Sequence, residues 1–408
     1  MKHWEKAIVC LLVLALLALP LVGLLGCGKK TQEKVTITIG LITDMTGPAG
    51  NSCAPYGMAV VDVCRYINDS DPISGVQLRV VSYDTTYNPS RNIPGYEWCK
   101  ARGAKIIVTP LPDVAATLGP FAARDKIPLL IQTVPDIAQL TPPGWMFAFG
   151  PIMYPMIQVL VEYIGDQWTQ VTKVRIGAVG WEYPADLEII RGVKDYCEAN
   201  PDKYEFVGSY TAPVGTVLWG GAAAKLVDCD YIELPTAAVS ASTFITSVRG
   251  LGYSGNFFCT DALGGSIGLL VDKFGWQGLD GFLTVWHTLW WNAPVTSVTA
   301  AIEALGRYRP DQKTELMTSG SGYSCVFASC TFWFDQILRQ AVEEVGAEKF
   351  ASQDFYNAAL NASITIDGYR PAGYTETKRY ALNDVALYRW SAADEDLIRI
   401  GDWYPVPQ

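Results

Sequence analysis

Val35-Thr36-Ile37-Thr38-Ile39-Gly40-Leu41-Ile42 runs directly into Thr43-Asp44-Met45-Thr46-Gly47-Pro48. The first eight residues are rich in β-branched side chains and end at a Gly/Pro loop, the pattern of a buried strand. Past Pro55 the pattern turns helical over 57–68, and a second strand is expected over 76–83. Helix 89–102, strand 105–109, helix 114–124 and strand 127–131 continue the rhythm. Strands alternating with helices predict a parallel sheet covered on both faces.

The same rhythm restarts after Gly150. Helices are expected over 153–168, 185–199, 217–227, 240–251 and 266–274. Strands alternate with them over 174–179, 204–210, 231–234, 256–260 and 281–286. Helices over 298–308 and 323–345 follow, then strand-like segments over 379–390 and 397–400. The expected fold is α/β, with two doubly wound, Rossmann-like lobes joined by a hinge. The expected partition is 35–150 plus 288–367 for one lobe, and 151–287 plus 368–408 for the other. In open α/β sheets a ligand sits beyond the carboxyl ends of the strands. The loops of interest are therefore 43–56, 84–89, 110–113, 132–136, 180–184, 235–239, 261–266 and 287–293.

Composition narrows the function. The chain has 408 residues, half of them hydrophobic, and a formal charge of −10. An acidic chain lacks the basic footprint of a nucleic-acid binder. The two histidines, His3 and His287, leave little for a zinc site or for histidine-based catalysis. No cofactor and no metal are expected. GxxxxGK[ST] is absent, and Gly250-Leu251-Gly252-Tyr253-Ser254-Gly255 follows a helix, the reverse of a dinucleotide site.

Lys2 and Lys6 precede a nearly unbroken apolar run over 7–25. Nineteen residues could just span a bilayer as an uncleaved anchor. The end of the run, Leu24-Leu25-Gly26-Cys27, resembles a bacterial lipobox. That resemblance implies a signal peptide over 1–26, lipidation of Cys27, attachment to the bilayer and a tether over 27–34. Both readings place the rest of the chain outside the cytoplasm. An exported chain permits disulfides. Of the eight cysteines beyond Cys27, Cys64 and Cys99 on successive helices are the best-placed pair, and several of the others suit small buried apolar positions.

The strand leading into a Thr46-Gly47-Pro48 loop, with Tyr56-Gly57 beyond it, resembles the leucine/isoleucine/valine-binding protein family, the type I periplasmic binding proteins of ABC importers. Ile73-Ser74-Gly75-Val76-Gln77-Leu78 before Tyr83-Asp84, and Asn88-Pro89 before a helix, fit the same order. The resemblance implies a solute-binding protein, not an enzyme, with an ABC permease and a small-molecule solute as partners. It aligns Tyr56 and Tyr183 with aromatics that cover the ligand. It aligns the 110–113 loop, including Leu111, and Thr133 with groups that hold the ligand's carboxylate and ammonium. It aligns Asp261 with the acid that pairs the ammonium.

Pro110-Leu111-Pro112-Asp113 departs from the family pattern. Two prolines remove two N–H donors and Asp113 adds negative charge, so a ligand carboxylate is poorly served. The expected solute is amino-acid-like, an amide or aromatic, and branched aliphatic amino acids should bind poorly. Asp113 is equally well placed to cap the helix at Val114. Trp290-Trp291-Asn292 reads as packing, and His287 as a structural residue at a hinge crossing. Two rival functions stand beside transport. One is a ligand-sensing receptor of the same fold. The other is a serine hydrolase on Gly264-Gly265-Ser266-Ile267-Gly268, with His287 as base and Asp272 or Asp280 as orienting acid.

Overall fold

A computed structural model describes residues 34–47, 49–320, 322–367 and 370–407, without the side chains of Asn51, Ser52 and Arg370. The leader over 1–26, Cys27, most of the tether and Pro48 lie outside the described residues. Among the described residues no helix is long and apolar enough to cross a membrane.

The strands of the first sheet are β1 (Val35–Thr43), β2 (Val76–Asp84), β3 (Ala104–Thr109), β4 (Leu129–Ile131) and β5 (Met146–Ala148). They are parallel and lie in the order β2-β1-β3-β4-β5. The second sheet holds β6 (Val174–Trp181), β7 (Tyr204–Ala212), β8 (Tyr231–Glu233), β9 (Asn256–Thr260) and β10 (Leu283–Trp286). Read from β7, their order is β7-β6-β8-β9-β10, which repeats the topology of the first sheet. A small antiparallel pair, β11 (Ile364–Ile366) and β12 (Arg370–Ala372), stands apart from both sheets. β13 (Asp384–Ser391) and β14 (Asp396–Pro405) then extend the second sheet antiparallel beyond β10. Each parallel sheet therefore has its own switch in winding direction, where a crevice opens beyond the strand ends.

The reversal of winding also disposes of the expected Cys64–Cys99 pair. The right-handed crossover β1–β2 carries helix Gly50–Ser70 to one face, and the crossover β2–β3 carries helix Asn92–Ala101 to the other. Ile37, Ile39 and Leu41 of β1 join Cys64 in one core, while Ile42 and Ile107 join Cys99 in another. The sheet separates the two thiols. All eight described cysteines are free and buried.

Several boundaries moved. Helix Gly50–Ser70 begins seven residues before the expected Gly57. Buried Asp44 accepts from the amides of Gly47 at 2.6 Å and Ala49 at 2.8 Å, and so turns the chain into the helix early. β5 and helix Ser352–Asn361 were not anticipated. A three-residue strand is too short to show a period. The helix expected over 323–345 is one helical run in three forms: Gly322–Cys330, a π-helical Thr331–Leu338, and Arg339–Val345.

That run is clamped to helix Gly50–Ser70. Fully buried Asp62 accepts from the Tyr323 hydroxyl at 3.1 Å and from Arg309 Nη2 at 3.1 Å, and also meets Arg309 Nε. A buried carboxylate is tolerated only when paired in this way.

Candidate functional site

The carboxyl ends of strands from both sheets converge on one cavity of about 140 Å³. This is far more than a single water needs and suits a small organic molecule. All eight loops singled out from the sequence contribute to its wall. From the first sheet come Leu111 with its flanking prolines, and Gln132 and Thr133. From the second come Trp181, Tyr183, Asp261, Trp286 and His287. Helix Gly50–Ser70 supplies Cys53 and Tyr56, and helix Gly322–Cys330 supplies Cys325.

Of the residues expected at the site, Tyr56, Leu111, Thr133, Tyr183 and Asp261 all line the cavity. Asp113 does not. It lies in the first turn of helix Pro112–Asp125, one step behind Tyr183, whose hydroxyl donates to Asp113 Oδ1 at 3.1 Å. Leu111, not Asp113, holds the N-cap position, and the Asp113 carboxyl accepts from first-turn amides, its own and that of Val114. Burial pushes the Asp113 carboxyl up, while the bond from Tyr183 holds it down.

The Tyr183–Asp113 bond joins the loop after β6 to the first turn of helix Pro112–Asp125, which follows β3. Arg191 pairs with Asp136 at 2.7 Å, an exposed pair of small energetic value. Tyr87 adds a further aromatic, its ring 6.0 Å from that of Tyr183. Burial drives the hydroxyls of Tyr56 and Tyr183 well above the ordinary phenol value, so both remain neutral donors.

Asp261 and His287 are coupled. Both are buried, and Asp261 Oδ2 abuts His287 Nδ1 and accepts the His287 amide at 3.2 Å. On the other side of the ring, Nε2 lies 3.3 Å from Cys325 Sγ. Burial disfavours the imidazolium, but the neighbouring Cys325 and Asp261 outweigh it and push the ring up to about 10. The Asp261 carboxylate is thus committed to an internal cation. No Lys or Arg is among the residues lining the cavity.

His287, expected as a structural residue at a hinge crossing or, in the rival reading, as a hydrolase base, is a wall residue of the cavity. The serine constellation is not assembled as expected. Ser266 is buried and does not line the cavity, and His287 meets Asp261 rather than Asp272 or Asp280. Asp280 instead accepts the amide of Ala392 at 2.8 Å.

Sequence reasoning missed Trp181, Trp286, Cys53 and Cys325. Trp181 and Trp286 close strands β6 and β10, so their place at strand ends was a usable signal. Cys325 comes from a helix beyond all the loops, and nothing local marked it.

A family model described as periplasmic binding protein matches residues 36–395. A search of curated proteins finds no match. Among solved structures, the fold is similar to a branched chain amino acid ABC transporter protein from Thermus thermophilus with bound valine. The two share 16% identity at a TM-score of 0.77, over 91% of this chain and 97% of that one. A fatty acid ABC transporter substrate-binding protein from Thermomonospora curvata gives 15% identity and a TM-score of 0.76, over 91% and 95%. A solute binding protein of an ABC transporter from R. palustris, in complex with 4-hydroxybenzoate, gives 18% and 0.73, over 91% and 98%.

Proposed function

This chain belongs to the periplasmic binding protein family, and from that premise we propose that it captures a small, neutral, ring-bearing solute, such as an aromatic amide, for an ABC permease. The observation that carries the choice of solute is the engagement of Asp261 by His287 inside an aromatic cavity. A free amino acid needs an uncommitted carboxylate for its ammonium and donors for its carboxylate. Here the carboxylate is taken, and Pro110 and Pro112 have no N–H to offer. Tyr56 and Tyr183 can cover a ring, and the Tyr56 hydroxyl can donate to a carbonyl. The buried Trp286 indole N–H, without a partner among the described residues, is a further donor on the same wall.

Membership places the chain outside the cytoplasm. The lobes are taken as 35–150 plus 288–367 and 151–287 plus 368–408. Closure of one on the other, latched by Tyr183–Asp113, favours whichever form the solute binds more tightly. Transport requires capture and release, with no turnover of the solute. Attachment through a lipid on Cys27, after removal of residues 1–26, would keep the protein beside its permease. The known ligands of the similar structures, which include valine and 4-hydroxybenzoate, frame the search.

The test is a thermal-shift screen of amino acids, aromatic amides, aromatic acids and polyamines, because a ligand bound to the native state raises the melting temperature. Aromatic amides should raise it, and leucine at micromolar concentration should not. Micromolar leucine binding would show that Asp261 is available to an ammonium and would overturn the choice. As a second check, Asp261→Asn should leave amide affinity within a few-fold of the parent by calorimetry.

A further inference from the structure

The cavity that serves solute capture also holds a set of groups that capture does not require. Cys325 Sγ lies 3.3 Å from His287 Nε2, and Asp261 abuts Nδ1 of the same ring. The three come from separate elements: a helix and the ends of β10 and β9. All three line the cavity. A nucleophile within reach of a base, with the base held by a third group, is the geometry of nucleophilic catalysis.

The surroundings support the arrangement. Cys325 is held in the first turn of helix Gly322–Cys330. The His287 ring is seated against Phe149, with centroids 6.1 Å apart, and over Gly150. A Cβ at Gly150 would lie 2.8 Å from the ring, so only glycine allows this seat. Gln132 Oε1 lies 3.7 Å from the sulfur on its other side. Elsewhere in the chain burial pushes the thiols of Cys99, Cys197, Cys229 and Cys259 up to about 12, which leaves them protonated and inert at neutral pH.

We propose that Cys325 is an acyl-accepting nucleophile for small neutral esters or thioesters entering the cavity, with His287 as its proton acceptor and Asp261 as the positioning residue behind the imidazole. In the reactive pair the proton rests on His287 Nε2 as an imidazolium, and the Cys325 sulfur attacks the carbonyl carbon. A C–S bond forms and the bond to the leaving oxygen or sulfur breaks, with its electron pair going to the leaving group. The imidazolium returns its proton to that group. Water then attacks the acyl carbon and gives one proton to His287, and the C–S bond breaks with its electron pair returning to the Cys325 sulfur, releasing a carboxylic acid. The sum is ester plus water to acid plus alcohol, with no change in oxidation state. The inference uses the same cavity as solute capture but does not depend on transport or on the natural solute.

The probe is p-nitrophenyl acetate, applied to the full chain near neutral pH, with p-nitrophenolate release followed by absorbance and the acetyl group located by peptide mass spectrometry. Acetyl on Cys325 of the parent protein, with at least one equivalent released, is the expected result. Cys325→Ala should abolish the burst, His287→Gln should slow acylation by about 100-fold or more, and Cys229→Ala should leave it unchanged. Asp261→Asn should move the limb of the acylation pH profile that reports the His287 imidazolium to lower pH, since the charge that steadies the imidazolium is gone. The titratable groups facing this centre are Tyr56 and Cys53 from helix Gly50–Ser70, Asp261 beyond β9 and Cys325 itself. Acetyl found only on lysines or on Cys53, or a burst that survives Cys325→Ala, would overturn the proposal. Because the adduct is mapped on the parent protein, a variant that fails to fold cannot rescue or sink it.

Discussion

Raising the pH should unfasten the cavity through one residue. His287 is buried and its ring is held at about 10, against an ordinary value of 6.5. A group whose folded value is raised binds its proton more tightly in the native state. Its contribution is therefore complete below about pH 6.5 and is lost as pH rises through the folded value near 10. Across that window the native state holds one proton more than the unfolded chain, which lowers the unfolding free energy by about 1.4 kcal/mol per pH unit. Between about pH 6.5 and 8.5 the ring alone should remove roughly 3 kcal/mol. Above that range unfolded cysteines also ionise and add to the loss, so the window is kept below it. Buried Glu233, pushed up by its burial and by Asp186, works in the same direction. His287→Gln therefore serves as the reference, and the difference between the two slopes belongs to the ring. The assay is urea denaturation followed by tryptophan fluorescence at half-unit steps of pH. Equal slopes for the parent and His287→Gln would refute the buried imidazolium, and with it the claim that Asp261 is internally neutralised.

Asp62→Ala should cost about 3–5 kcal/mol in a urea melt, because it strands Arg309 and Tyr323 without their buried acceptor; a loss under about 1 kcal/mol would mean the clamp between the two helices is unimportant. Gly40→Ala should destabilise by about 1–3 kcal/mol through overpacking, since the new Cβ meets Cys99 Cβ at 2.8 Å. Adding Ile107→Val removes the Cδ1 atom that crowds the same position, and should recover part of the loss in a double-mutant cycle. Tyr183→Phe should cost about 1 kcal/mol of stability and hasten solute release, read by stopped-flow fluorescence, because Asp113 loses that donor. Unchanged release would remove that bond as a latch.

The alternation of strands and helices was legible because burial on both faces writes a continuous apolar run into each parallel strand, as in β1, where seven of nine residues are buried. The loops at strand ends followed from the same reading, and all eight reach the cavity. β5 escaped because three residues between prolines carry no period. The expected Cys64–Cys99 bridge failed because neighbours in sequence order lie on opposite faces once the winding reverses.

Local pattern could thus name the elements and the end of each sheet where a solute would sit. It could not say which side chains meet across the cavity. Asp261, His287 and Cys325 are drawn together from positions 26 and 38 residues apart. Whether a carboxylate is free for a ligand or spent on a histidine depends on distances of a few ångströms, and those are set only when both sheets and the clamped helix have packed.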